Sequence, residues 1–512
     1  MLARARSVAV ANAVVFALVL LPHALGDVST PAIFGSHMVL QRERPNKLWG
    51  WAEPGEAITV TLNGKTLETK ADANGNWSMM LEPLPTGGPY EMTIQGKNKL
   101  TYQDILAGEV WVCSGQSNMQ WSVEVSNDPD LESKAANFPQ IRLITVPNVG
   151  TQDPQKDFRG EWTRCTPDSV KGFSAVGYFF GRQLHQVLGV PIGLIDNAWG
   201  GSACEAWINR DRLAADPKYK DLLDSWSERE KQYGELQAAA EKAKAEGGTA
   251  PGAQELRGLE GQMKGNHRPA NIYNGALKPT IGFGIRGAIW YQGESNAGRA
   301  YQYRTLFPLM IKNWREDWGI GDFPFYFVQL ADFMQEKTEP GDSGWAELRE
   351  AQTMTLAALP NTGQAVIIDL GEAQDIHPRN KQDVAMRLAR WALAKDYGVE
   401  IPYRSPQYQS MEVKEGKVIL TFDHVGAGLR AFDVAEVRGF TLAGDDRKFH
   451  PAVAKITGKN TIEVSSSAVS HPVSVRYAWA DNPVCNVYSR EGLPLTPFRT
   501  DDWEGVTAKA TK

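Results

Sequence analysis

After Gly108 the chain repeatedly sets an apolar run of strand length ahead of an amphipathic stretch of helical period. The runs are VWVCSG, VPIGLID, GAIWYQG, FYFVQLA and AVIIDLG. Strands that are apolar on both faces must be covered on both faces, and crossover helices do this for parallel strands. The alternation therefore predicts an α/β region, a parallel sheet covered by helices, over about residues 108–400.

Helical periodicity is read at 178–188, 301–318 and 345–359. It is most explicit after HPRN, where Asn380 can cap, Asp383 falls in the first turn, and Val384, Leu388 and Trp391 share one face before Gly398. A charged, Ala-rich stretch at about 210–267 carries Leu222, Trp226 and Tyr233 at helical spacing. It reads as a helical insertion broken by GGTAPG at 247–252. On either side of the α/β region the texture changes to short alternating runs, such as AITVTLNG before it and KVILTF and TIEVSS after it. These predict an N-terminal β module at 27–107 and a C-terminal β region at 401–505.

A chain of 512 residues has room for two to four such units. Its 54 Lys and Arg against 60 Asp and Glu leave a net charge of -6 with no basic stripe, which removes nucleic-acid binding as a function. Arg4 and Arg6 precede an apolar stretch from Val8 to Leu21, then Pro22 and a small-residue sequence ending at Gly26. Residues 1–26 read as a signal peptide cleaved after Gly26, because the run is shorter than the ~20 residues of a membrane span. The mature chain is expected to be exported, to a periplasm or the extracellular space, with no stable membrane span. Cys113, Cys165, Cys204 and Cys485 would then meet an oxidising compartment. Their pairing is not legible in the spacing, buried unpaired thiols fit equally well, and the absence of CxxC gives zinc little support.

The chemistry centres on WVCSGQSNMQW. VWVC reads as a buried strand and SGQS as a tight turn at its carboxyl end, where open α/β sheets place their crevices. Ser117 then begins a helix, where free backbone N–H groups can hold an oxyanion. An N-cap Ser would fit the same letters. A nucleophilic Ser requires a base. Of the eight His, His377 lies in AVIIDLGEAQDIHPRNK, a loop between a buried strand and a helix, on the same sheet edge as Ser117. Asp375 shares that loop and can orient it. Two further turns offer oxyanion donors: Gly200 and Gly201 in DNAWGGSACEAW, and Gln292, with Glu294 and Asn296, in IWYQGESN. GFGIRG at 282–287 matches a dinucleotide string but precedes a strand instead of following one, and GQSNM lacks the second Gly of a GxSxG elbow.

The stretches GEVWVCSGQSNMQW, FSAVGYFFGRQL, VPIGLIDNAWGGS, RGAIWYQGESNA, DIHPRNKQDVAMRLA and NVYSREGLPLTPFRT together resemble the sialate O-acetylesterase family of SGNH hydrolases over about residues 30–500. The resemblance implies Ser117 as nucleophile and His377 as base, with the Ser117 N–H, a Gly of the WGG turn (Gly200 or Gly201) and Gln292 holding the oxyanion. It implies an acetyl-enzyme mechanism with no metal or organic cofactor, acting on an acetylated glycan or sialic acid. One departure stands out: the general SGNH pattern places an Asp three residues before its His, and this chain has Gln374 there. Asp375 is therefore the expected third member of the triad, against Asp369, Glu372 or a Ser-His dyad. Trp121, Trp199, Trp207, Trp290 and Tyr291 could form a sugar-stacking wall, with Glu294 and Asn296 as further substrate contacts, although aromatic residues beside buried strands are commonly core. An acetyl xylan or xyloglucan esterase is the alternative within the same chemistry, and a non-catalytic carbohydrate-binding protein the alternative outside it.

Overall fold

The structure is a computed structural model that describes residues 27–248 and 252–510. The expected signal peptide, and part of the expected break at 247–252, lie outside the described residues. The central sheet contains β1 (Lys99–Gly115), β2 (Phe138–Thr145), β3 (Thr163–Cys165), β4 (Ile192–Ala198), β5 (Gly287–Tyr291), β6 (Phe325–Val328) and β7 (Thr362–Ala365), in the order β7-β6-β5-β1-β4-β2-β3. Every pairing along this path is parallel except that of β3 with β2. From β1 the chain winds out to one side through β2 and β4 and to the other through β5, β6 and β7. That reversal puts the carboxyl end of β1 at the switch point where such sheets open a crevice.

The apolar runs are buried on both faces because helices cover both. On one side Trp111, Cys113, Leu194, Ile289 and Tyr326 pack with Val176, Phe180 and Leu184 of α2 (Ala175–Leu188) and Val384, Leu388 and Trp391 of α7 (Lys381–Lys395). On the other side Val110, Val112, Ile195, Trp290 and Phe325 meet Leu306, Met310 and Trp314 of α5 (Ala300–Trp318) and Leu348 and Ala351 of α6 (Gly344–Ala358). Alternate residues of β1 thus enter opposite cores, as a pleated strand requires. Asn380 caps α7 through Oδ1, which accepts the Asp383 N–H at 3.1 Å. The insertion forms α3 (Lys220–Ala245) and α4 (Ala253–Met263), packed through Leu222, Trp226 and Met263.

β1 is 17 residues long and runs through position 107 without interruption. Its first part pairs antiparallel with Gly87–Gln95, its middle pairs with Val39–Gln41, and its last part lies between β4 and β5. Four N-terminal strands, Val39–Gln41, Ala57–Leu62, Lys65–Lys70 and Gly87–Gln95, are therefore an extension of the central sheet, while Asn46–Trp51 and Asn76–Leu81 pair apart as a two-stranded sheet. At the junction the fully buried Glu109 accepts hydrogen bonds from Arg42, Arg286 (2.8 Å), Gln41 (3.0 Å) and Tyr397 (3.0 Å), so two cations offset the cost of burying its charge. At the other end of the chain two four-stranded antiparallel sheets share a core of Leu420, Phe422, Ile462, Leu442, Val475 and Tyr477. Val366 and Ile368 are buried in that core, so the C-terminal β region grips the segment that leads to His377.

Candidate active site

β1 stops at Gly115, whose φ is +137°. A Cβ there would lie 2.2 Å from the Tyr291 carbonyl oxygen, so only glycine allows β5 to approach this closely. Gln116 then donates its N–H to the same carbonyl at 2.9 Å, and the chain turns into α1 (Ser117–Gln120). The expected helix is a single turn, so little macrodipole accumulates and the useful property is its unpaired N–H groups. Gln116 occupies the N-cap position and makes no side-chain cap, which leaves the Ser117 hydroxyl free for another partner.

That partner is His377. Its Nε2 lies 2.8 Å from Ser117 Oγ across 260 residues of sequence. The imidazole is flat against Trp121, with ring centroids 4.6 Å apart and planes at 11°. Asp375 accepts the His377 backbone N–H at 2.9 Å, and its Oδ1 stands 3.5 Å from Nδ1 with 49% of its side chain exposed. The other carboxylates considered are engaged elsewhere: Asp369 forks onto Arg387 at 2.6 and 2.7 Å, and Glu372 accepts the Arg379 N–H at 2.9 Å. Burial pushes the His377 pKa below its usual value, with Asp375 opposing and Lys381 reinforcing the shift. The ring is therefore neutral and able to accept a proton at neutral pH.

Gly200 backs directly onto Ser117, and a Cβ on it would meet the Ser117 Cβ at 3.4 Å. The carbonyls of this turn are pinned from behind: Asn266 donates to Gly200 O at 2.5 Å, while His267 Nε2 (2.7 Å) and Ser295 Oγ (2.9 Å) donate to Gly201 O. The Gly200 N–H donates to the exposed Gln120, at 2.8 Å from Oε1. Gln292, expected as the side-chain oxyanion donor, is turned away and fully buried. Its Nε2 donates to Ser202 O (3.1 Å) and Asn296 Oδ1 (2.7 Å), and its Oε1 accepts from Tyr303 (2.8 Å), so no donor is left over. Gln116 is differently placed, because its Oε1 accepts the N–H groups of Gly293 (3.4 Å) and Ser295 (3.5 Å) while its Nε2 makes no hydrogen bond among the described residues.

Residues 107–240 and 263–393 match the family described as carbohydrate esterase, sialic acid-specific acetylesterase. The chain belongs to that family. The match omits the stretch between 240 and 263, which contains most of α4. The esterase is 31% identical to the sialate O-acetylesterase of Mus musculus, with 90% of this chain and 92% of the mouse protein covered. It is 29% identical to that of Homo sapiens, with 90% of each covered. Among solved structures it resembles a carbohydrate acetylesterase from Xanthomonas citri at 39% identity and a TM-score of 0.80, over 93% of this chain and all of that one.

Several expected substrate contacts are withdrawn into the esterase. Trp290 is fully buried between Trp207, Trp314 and Phe325, so it is core and cannot stack on a sugar. Asn296 is 1% exposed and spends its amide on Cys204 N–H, Gln292 and Glu205. The Glu294 carboxylate faces inward, accepting from Asn118 at 2.7 Å. Trp199, half-buried beside Gly200, stays at the edge of the site. All four cysteines are free, with Cys113, Cys165 and Cys204 buried. Among the described residues no helix is long and apolar enough to cross a membrane.

Sequence reasoning missed Asn118, Lys381 and the free amide of Gln116. Lys381 is fully buried: its Nζ donates to Asn118 Oδ1 and Pro378 O, each at 2.6 Å, and lies 5.5 Å from the Tyr291 ring centroid. Burial pushes its pKa down to about 7. In HPRNK it reads as a solvated Lys at a helix start, and only its adjacency to the Asn380 cap hinted at a fixed position.

Proposed function

We propose that the esterase removes O-acetyl groups from sialic acids through an acetyl-enzyme on Ser117. The observation that carries this is the 2.8 Å contact between His377 Nε2 and Ser117 Oγ at the switch point of a family esterase. His377 takes the Ser117 proton as Oγ attacks the acetyl carbonyl, and Asp375 steadies the imidazolium that forms. The negative charge developing on the carbonyl oxygen is met by the Ser117 N–H and the N–H groups of the Gly200–Gly201 turn. Gln116 supplies the side-chain amide that Gln292 cannot. An acyl oxygen that binds the Gly200 N–H displaces the Gln120 amide oxygen now held there. Collapse of the tetrahedral intermediate returns the proton from His377 to the departing sugar oxygen. Water, deprotonated by the same imidazole, then attacks the acetyl carbon, and collapse breaks its bond to Ser117 Oγ, which takes the proton back from His377 as acetate leaves.

The sialate assignment follows from the mouse and human relatives, which are sialate O-acetylesterases. Residues 1–26 act as an export signal, and the β regions at 27–107 and 401–505 frame a catalytic region at 108–400. The test compares acetate release from 9-O-acetyl sialic acid and from acetylated xylo-oligosaccharides. A higher kcat/KM on the sialic acid is expected, and the reverse order would assign the esterase to plant polysaccharides. Failure to release acetate from any acetyl ester would favour a glycan-binding protein.

A further inference from the structure

The segment that carries His377 is held through its backbone. The peptide carbonyls on either side of His377 both accept hydrogen bonds from buried side chains: Ile376 O from Asn118 Nδ2 at 3.0 Å, and Pro378 O from Lys381 Nζ at 2.6 Å. Those two side chains are joined to each other, because Asn118 Oδ1 accepts from the same Nζ at 2.6 Å. The second Asn118 amide hydrogen goes to Glu294 Oε1 at 2.7 Å, so the carboxamide is fully used. Asn118 is 1% exposed and Lys381 is not exposed at all. Asn118 follows Ser117 on α1, Lys381 opens α7, and Glu294 follows β5. The network therefore ties the turn that carries the hydroxyl to the loop that carries the imidazole.

We propose that Asn118, Lys381 and Glu294 form a clamp that positions His377 on Ser117 through the backbone, in place of the tight carboxylate–imidazole bond of a Ser-His-Asp triad. The side-chain alternative is weak here, since Asp375 is half exposed and 3.5 Å from Nδ1. A buried ammonium is costly unless it is hydrogen-bonded, so Lys381 holds its two acceptors, Asn118 Oδ1 and Pro378 O, in place. None of the three side chains reaches the Ser117 hydroxyl, and they are positioning residues.

The charged groups around the pair are few. Lys381 faces Glu294 from the β5 side and Asp375 and Glu372 from its own loop, while His377 faces Asp375 and Lys381. Removing the Lys381 charge relieves one of the influences that lower the His377 pKa, so the acid limb of the kcat/KM profile moves to higher pH. A lysine too far from the imidazole to bias it would leave that limb in place, and the positioning role itself is read from kcat at unchanged KM.

The proposal rests on His377 acting as the base, and His377→Ala checks that reading separately: an active His377→Ala would remove the reading itself. The decisive experiment measures kcat, KM and the pH profile of Lys381→Met and Asn118→Ser on a small acetyl ester, with folding followed by circular dichroism. Displacement of a reacting group by about 1 Å costs on the order of 10²-fold, so kcat should fall by about that factor with KM unchanged. The Lys381→Met acid limb should also rise. Where Lys381→Met is recovered unfolded, Asn118→Ser carries the test, since it removes both the Ile376 bond and the Lys381 acceptor with a small change of volume. A folded variant that keeps the wild-type kcat would overturn the clamp, whatever its acid limb does.

Discussion

Trp121 lies flat on the His377 ring, with centroids 4.6 Å apart and planes 11° from parallel. The indole is itself fixed by a 2.9 Å hydrogen bond from Nε1 to Val125 O, so it acts as a wall that keeps the imidazole from swinging away from Ser117. Aromatic pairs of this kind contribute about 0.5–1.5 kcal/mol. Trp121→Ala should therefore lower kcat on a small acetyl ester by up to about tenfold, with Trp121→Phe much closer to wild type. Equal kinetics for all three proteins would show that the stack does no positioning.

Asp375 makes a longer and wetter contact with its histidine than a buried triad carboxylate does. Asp375→Asn should accordingly cost well below the ~10⁴-fold seen where a buried, directly bonded carboxylate is neutralised. The direction of the pH effect is fixed as well. Burial lowers the His377 pKa and Asp375 opposes that shift, so its removal moves the acid limb of kcat/KM to lower pH. A full triad-scale loss would assign Asp375 a far stronger grip than 3.5 Å implies.

The two glutamines beside the site should separate cleanly. Gln116→Ala removes a free amide next to Ser117 and should lower kcat by about 10² to 10³, the usual cost of one oxyanion donor. Gln292→Ala breaks three buried hydrogen bonds and leaves their partners unsatisfied, at about 1–3 kcal/mol for each group left unpaired. It should appear chiefly as a lower urea midpoint. The opposite pattern, with stability lost at Gln116 and kcat at Gln292, would return the oxyanion role to Gln292.

Asp196 should make stability depend on pH. It sits on β4 beside Cys113, and its buried Oδ1 has no hydrogen-bond partner. Burial pushes its pKa up to about 8. The native state thus keeps a proton that the unfolded chain releases above about pH 4, and stability falls as pH rises from there to about 8. Asp196→Asn should flatten that decline in urea unfolding across the same range. Parallel curves for the two proteins would mean that the carboxyl is ionised in the native state.

The sheet was legible because parallel strands buried on both faces have to be written as unbroken apolar runs, and the N-terminal and C-terminal β textures stood out against them. Ser117 and His377 could be placed on one edge for the same reason, since each follows such a run. Other features depended on neighbours that sequence does not bring together. Gln292 points away because Tyr303, Ser202 and Asn296 claim its amide, and all three are positioned by tertiary packing. Trp290 follows a strand pattern that is silent about which face α5 covers. Lys381 is buried because Asn118 and Pro378 receive it, against the strong prior that a helix-start Lys is solvated.

The central claim is that the Ser117 hydroxyl, activated by His377, carries the acetyl group. Acetate release from a small acetyl ester by wild type and by folded Ser117→Ala tests it most directly. A loss on the order of 10⁶ in kcat, with the folded variant no longer acquiring an acetyl adduct, is the expected result. A folded Ser117→Ala that releases acetate at the wild-type rate would contradict it.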